Sequence, residues 1–176
     1  LYKVMQRSNE AREWFLKAME LRKNNFPLVK GVQMLDYSIV LLNIWGTEAA
    51  VDIFKTLYEE MEAACAKGGI SKGVHRIVWI HLRPYYDNTI INYIEKERGA
   101  YLVHEMSNWI YWDAFDPTDP YRSLARKMLS NPAYSPVEVQ FGLYEKYKKP
   151  FNIDGMIGFT HKGCRHLYSS IHMCAE

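Results

Sequence analysis

The sequence predicts an α/β fold, a flavodoxin/Rossmann-like parallel sheet domain preceded by a helical lobe. In residues 1–72, apolar residues recur at helical spacing throughout. In residues 73–176, short apolar runs bounded by turn signals alternate with helical patterns. Such alternation is typical of a parallel sheet whose strands are joined by crossover helices. We therefore expect a helical lobe over 1–72 and an α/β domain over 73–176.

Three helices are predicted in the lobe. The first ends before Pro27, and the second spans about 32–44 and stops at Gly46. Thr47 is the predicted cap of the third helix, which ends at the glycine pair 68–69. The apolar stripe of this third helix is Val51, Phe54, Tyr58, Met61 and Cys65.

Three strands and four helices are predicted in the α/β domain. The strands are 76–81, 100–104 and 153–160. The helices begin at Asp87, Asp119, Ser135 and Cys164, and Ser135 with Glu138 has the pattern of a capping box. A doubly wound domain normally continues beyond three strands. We therefore expect the chain to be a piece of a longer polypeptide.

Composition narrows the functional classes. Of the 176 residues, 48% are hydrophobic, and the net charge is only +2, with basic and acidic residues interleaved. This pattern argues against nucleic-acid binding, and the apolar runs are too short for a membrane span. Three cysteines far apart in sequence are no disulfide framework and favour a reducing compartment. A cytoplasmic location is the expectation.

Cys164 is the leading candidate for chemistry. It follows the third strand through a short turn and opens the last predicted helix, a place where ligands bind in α/β sheets. The free N–H groups of a helix start stabilise negative charge there, which suits a metal, an iron–sulfur cluster or a nucleophile. A buried, inert thiol is the alternative. The polar neighbours His161 and Arg165, together with Gly163, favour a functional role.

A zinc site is a minor alternative at the same segment. Histidines and cysteines cluster there, but their spacing matches no zinc finger or ribbon. The residues are His161, Cys164, His166, His172 and Cys174. Cys65 lies on the apolar stripe of its helix, so core packing is expected for it.

Polar residues at the other strand ends are further candidates. His81, His104 and His161 each stand at or just after a predicted strand end. His104 and Glu105 can serve acid–base chemistry or line a pocket, whereas Glu105 can equally cap loop N–H groups. The connection after Glu105 carries aromatic residues that either form a ligand wall or pack the loop. These are Trp109, Tyr111, Trp112 and Phe115.

The order of these features resembles the 2-hydroxyacyl-CoA dehydratase/benzoyl-CoA reductase family. The Asp-Gly…His-x-Gly-Cys-Arg run within 154–165 is the most specific match. Further matching segments are 76–81, 104–105, 111–112 and 116–125, and the helical region resembles the middle part of the same subunits. No dinucleotide, Walker or serine-hydrolase motif is present.

This resemblance implies an enzyme of the lyase or oxidoreductase class that acts on acyl-CoA thioesters. Family members are subunits of heterodimers that hold a [4Fe-4S] cluster through three cysteines and receive one electron from an ATP-dependent activator. Cys164 matches the last of these cysteines, and the other two would lie upstream of Leu1. We expect such a fragment to be inactive alone. A non-catalytic module that docks a partner subunit is the alternative.

The resemblance also suggests which residues surround the substrate or the cluster. The candidates are the polar and aromatic residues at the predicted sheet edge, His161, Arg165, Glu105, His104 and Trp112. Hydrogen bonds and dipoles at such an edge tune the potential of a cluster, and an aromatic wall excludes water from it.

Overall fold

A computed structural model of the chain describes residues 1–23, 27–69, 75–81, 83–84, 89–132, 135–164 and 168. Its helices are α1 (Tyr2–Leu21), α2 (Gly31–Asn43), α3 (Glu48–Ala66), α4 (Ile90–Arg98), α5 (Pro120–Leu129) and α6 (Val137–Lys148). Its strands are β1 (His75–His81), β2 (Ala100–Glu105) and β3 (Gly155–Phe159). None of the helices in these ranges has the length and apolar character that a bilayer crossing requires.

The strands form a parallel sheet in the order β2-β1-β3. This arrangement confirms the predicted α/β class with a parallel sheet. Trp79 of β1 is in register with Glu105 of β2, and His81 of β1 is in register with Phe159 of β3. All three carboxyl ends therefore meet at one edge of the sheet.

Helices cover both faces of the sheet. On one face, α2 and α4 pack against Trp79 and Leu102, with Leu35 and Ile91 buried between the layers. On the other face, α6 packs against β1 through a smaller apolar cluster. Its buried members are Val78, Ile80, Trp109 and Tyr144. The sheet is thus the middle layer of three.

A third apolar cluster joins α1, α3 and the aromatic connection after β2. Phe15 of α1 meets Phe54 of α3 edge to face, with ring centroids 4.9 Å apart. Ile110, Trp112 and Phe115 of the connection are buried in the same cluster. Cys65 packs against it, as the sequence predicts.

The helical segment contacts the α/β segment directly, because α2 lies on the sheet. The division of the chain near residue 72 stays a prediction. At the start of α3, Thr47 Oγ1 accepts a hydrogen bond from Ala50 N at 3.2 Å, which confirms the predicted cap.

The predicted capping box at Ser135 is wrong. Helix α6 begins at Val137, and Ser135 Oγ donates to Asn131 O at 3.0 Å instead. The hydroxyl bonds a nearby preceding carbonyl, a local alternative that serine often takes. The predicted cap Asp87 lies outside the described residues, as does most of the helix expected after Cys164.

Gly31, at the amino end of α2, lies in close contact with Leu102 of β2 and Glu95 of α4. A Cβ built on Gly31 would lie 2.6 Å from Leu102 Cβ and 2.7 Å from Glu95 Oε1. Glu95, from α4, accepts a hydrogen bond from Gly31 N at 2.8 Å, so a carboxyl group on another helix caps α2. Burial raises the pKa of Glu95, and the hydrogen bonds from Gly31 N and Leu102 N oppose that rise.

We expect Gly31→Ala to destabilise the fold by about 1–3 kcal/mol, because the new methyl group overpacks the contact between α2 and β2. Gly142→Ala is the matched control, since nothing lies within 4 Å of the place that its methyl group would take on α6. The control should gain about 0.5–1 kcal/mol from higher helix propensity. Urea unfolding measures both changes, and a neutral Gly31→Ala would contradict the tight contact.

Candidate functional site

Cys164 lies in a tight turn beyond the carboxyl end of β3. Its N–H donates to His161 O at 2.9 Å, and its own carbonyl accepts from Tyr168 N at 2.9 Å. The second bond has the i to i+4 spacing of a helical turn. The thiol is half-buried and belongs to none of the apolar clusters of the described residues. Among the described residues, Cys164 therefore lies beyond the carboxyl end of β3 and outside the apolar clusters.

His161 is held in the same turn. Its Nδ1 accepts a hydrogen bond from Gly163 N at 3.1 Å, and its side chain is exposed. A Cβ at position 163 would lie 3.2 Å from that nitrogen, so a larger residue would crowd the imidazole. The structure thus brings His161 and Cys164 together within one short loop. Arg165 lies outside the described residues.

Glu105, at the end of β2, forms a buried ion pair with Arg22. Its two carboxylate oxygens accept hydrogen bonds from the guanidinium of Arg22 at 2.7 Å and 2.6 Å. Asn108 Nδ2 donates to the same carboxylate at 3.0 Å and to Met34 O at 2.7 Å. Both side chains of the ion pair are almost completely shielded from solvent. This carboxylate therefore fixes the join between the end of α1 and the sheet.

His104 lies on the opposite face of β2. The pairing of β1 with β2 advances from Ile77–Leu102 to Val78–His104, so Val103 is an extra residue in the ladder. As a result, His104 packs among aromatic rings on the α6 face. Its ring is stacked on Phe151 at 4.6 Å between centroids.

The aromatic surroundings keep His104 uncharged. Tyr147 meets its ring edge to face at 4.3 Å, and neither ring nitrogen has a hydrogen-bond partner among the described residues. Burial holds the pKa of His104 well below its ordinary value, and the charge of Arg22 lowers that pKa further. A neutral imidazole in this position is a packing group.

Trp112 lies in the helical core. Its ring meets Trp45 edge to face at 5.6 Å, and Lys127 Nζ lies 4.1 Å from its centroid. Trp109, by contrast, packs against α6. The aromatic connection is therefore divided between two apolar clusters, as the packing alternative predicts. That Trp112 borders a substrate or cluster stays a prediction.

The described residues offer one thiol at the sheet edge. They contain no group of three or more histidine, cysteine and carboxylate side chains placed to hold a metal ion. Cys65 is on α3 against the helical core. That Cys164 is a cluster ligand stays a prediction, and a complete ligand set would require thiolates from outside the described residues.

A cavity of about 490 Å³ lies between α6 and the start of β3. Its lining is mainly aromatic and aliphatic with a few charged residues, and includes Trp109, Phe141, Tyr144, Lys148 and Met156. Because Gly155 and Met156 open β3 and Cys164 follows its other end, this cavity and the Cys164 turn are at opposite ends of the strand.

Sequence reasoning missed the partners of Glu105. Arg22 is 83 residues away, and Asn108 follows the strand in a short 3₁₀ turn. The sequence pattern predicts Arg76 only as a strand residue, yet its guanidinium donates to Phe151 O at 2.6 Å and to Arg22 O at 3.0 Å. The signal that could have revealed this cluster is the presence of charged residues inside otherwise apolar segments.

Comparison with known protein families gives a match over almost the whole chain. Residues 1–175 match a family model described as 2-hydroxyglutaryl-CoA dehydratase, D-component. A search of curated proteins finds no match for the chain.

We expect Glu105→Gln to destabilise the fold by about 3–5 kcal/mol, because it leaves the Arg22 guanidinium buried without its countercharge. The double variant Arg22→Met/Glu105→Leu removes both charges and should recover much of that loss. Urea unfolding of both variants measures the coupling. A single variant as stable as the wild type would show that this ion pair does not hold the two segments together.

We expect His104 to make the fold acid-sensitive. In the unfolded state the imidazole has a pKa of about 6.5 and takes up a proton below that pH, whereas the buried imidazole of the folded state stays unprotonated. Stability is therefore complete above this pH and is lost as the pH falls below it. Between about pH 7.5 and 5.5, wild type should lose about 1 kcal/mol more than His104→Phe in urea titrations. Equal losses would mean that folded His104 accepts the proton.

Proposed function

The chain belongs to the family of the 2-hydroxyglutaryl-CoA dehydratase D-component, and we propose that Cys164 is its ligand to a [4Fe-4S] cluster. As a member, it is a component of a 2-hydroxyacyl-CoA dehydratase. The observation that supports the ligand assignment is the position of Cys164 in the turn that follows β3. This half-buried thiol stands at the edge where the parallel strands end, the usual location of ligands in α/β sheets.

The local geometry suits cluster binding. Gly163 has no side chain to block the approach of a bulky group next to the thiol. His161 is positioned by the Gly163 N–H, so an imidazole is available beside Cys164 to hydrogen-bond a sulfur atom or to screen it from water. When bound, the cluster would supply one-electron transfer, whose potential depends on such hydrogen bonds and on solvent exposure.

The other candidate residues have supporting roles in this proposal. Arg22 and Glu105 fix the end of β2, and hence the sheet edge on which the Cys164 turn is built. His104 fills the α6 face and carries no charge there. Neither Glu105 nor His104 is free for proton transfer, because the first is fully paired and the second is enclosed by aromatic rings.

The proposed reaction is the removal of water from a 2-hydroxyacyl-CoA thioester. The family description, which names a dehydratase, supports dehydration over ring reduction. We further propose that the chain works with a second dehydratase subunit and receives its electron from an ATP-dependent activator. In this assembly, the chain contributes the thiolate of Cys164 and the sheet edge that presents it.

After anaerobic reconstitution of the full-length protein, we expect the unsubstituted form to bind iron and to show broad visible absorbance. Cys164→Ser should lose most of both. A serine hydroxyl is a poor substitute for a thiolate ligand. Cys65→Ser is the matched control, since it removes the other described half-buried thiol, which packs against the helical core. This control should retain its iron.

Equal iron in the two variants would remove Cys164 from the ligand set. Active complex without iron would favour the alternative of a non-catalytic assembly module. Stoichiometric zinc after aerobic purification, lost in Cys164→Ser, would favour the zinc alternative.

A further inference from the structure

Helix α5 turns its apolar stripe toward solvent. None of its residues is buried, and Tyr121, Met128 and Leu129 are 79%, 71% and 82% exposed. Leu124 and Ala125 complete the stripe at the spacing of one helical face. An amphipathic helix that packs on its own domain normally directs this face inward. The stripe on α5 is therefore left uncovered by the part of the chain that the structure describes.

The inward side of α5 is polar. Lys127 lies over Trp112, with Nζ 4.1 Å from the ring centroid, and burial lowers its pKa. Ser123 Oγ accepts a hydrogen bond from Asp116 N at 2.9 Å. These contacts fix the rotation of the helix, because Lys127 and Ser123 share a side. The outward direction of the stripe thus follows from specific contacts.

The charges around the stripe are unequal. Arg122 and Arg126 are one turn apart and follow Leu129 around the helix, so they flank the stripe on one side. The helix Pro120–Leu129 contains no acidic residue, and among the described residues Asp119 at its N-cap pairs with Arg122, at 3.2 Å. On the side of the helix away from these arginines, the Lys127 ammonium group lies over the Trp112 ring. A complementary surface is apolar, with carboxylates along one side.

We propose that α5 is a docking surface for the second subunit of the dehydratase, which meets it with an apolar surface flanked by carboxylates. This inference rests on the proposed function, since it presupposes that partner. A second copy of this chain fits less well, because two α5 helices packed antiparallel would bring arginine against arginine, and a parallel pair would leave the arginines without carboxylate partners on α5. A membrane surface also fits less well, because the exposed positive charge flanks only one side of the stripe.

Cysteine labelling tests the location of the interface. Leu129→Cys should react readily with a maleimide in the isolated protein and about tenfold more slowly in the complex with the second subunit, where the position is shielded from water. Thr56→Cys, at an exposed position of α3, is the matched control and should react equally in both states. Peptide mass spectrometry separates these sites from the native cysteines.

Charge reversal tests the chemistry. Arg126→Glu should weaken the complex about tenfold, which corresponds to about 1.4 kcal/mol, with little effect on the fold of the isolated protein. Lys3→Glu reverses one exposed charge on α1 and should leave the affinity unchanged. Met128→Glu should also weaken the complex, because it places a carboxylate inside the stripe.

Four results would overturn the inference. Protection of Leu129→Cys in the isolated protein would mean that the same chain covers the stripe. Equal labelling in the complex would place the interface elsewhere and leave the proposed function intact. Flotation with phosphatidylserine vesicles that Met128→Glu abolishes, without protection by the second subunit, would assign the stripe to a membrane. If wild type forms no complex with that subunit, the proposed function fails together with this inference.

Discussion

The ion pair between Arg22 and Glu105 is the constraint on which the remaining structure depends. A charge that is shielded from water is tolerated only when it is paired and hydrogen-bonded, and both conditions are met here. The pair ties the end of α1 to the end of β2. Arg76 extends the connection, because it donates to Arg22 O and to Phe151 O beyond α6. One polar cluster thus fixes two helices relative to the sheet.

The two faces of β2 make different contacts at its carboxyl end. His104 and Glu105 are consecutive strand residues and therefore lie on opposite faces of β2. The extra residue Val103 decides which face each one takes, so the imidazole packs under α6 and the carboxylate meets Arg22. The sheet is therefore covered on both faces, and its β2 end is held by a buried ion pair. The turn that holds His161 and Cys164 begins at the carboxyl edge of the sheet, and a ligand set needs such a fixed support to keep its geometry.

The sequence allowed prediction of those features that depend on local patterns. Apolar runs and helical spacing predicted the parallel α/β class, Thr47 was recognisable as a cap, and Cys65 as a packing residue. The partner of Glu105 could not be predicted, because Arg22 is distant in sequence and any buried carboxylate has several possible cations. The outward stripe of α5 was also missed, since periodicity identifies an apolar face but cannot say which direction the face takes.

The contact of Gly31 with Leu102 and Glu95 has a consequence for how this sequence can evolve. The distance between α2 and the sheet is set by the absence of a side chain, so the three positions cannot vary independently. A homologue with alanine at the first position would need glycine in place of Leu102, because the closest contact is with the leucine Cβ itself, and the Glu95 carboxylate would also have to shift. Substitutions here should occur in correlated pairs, and a single change would leave either a clash or an uncapped helix.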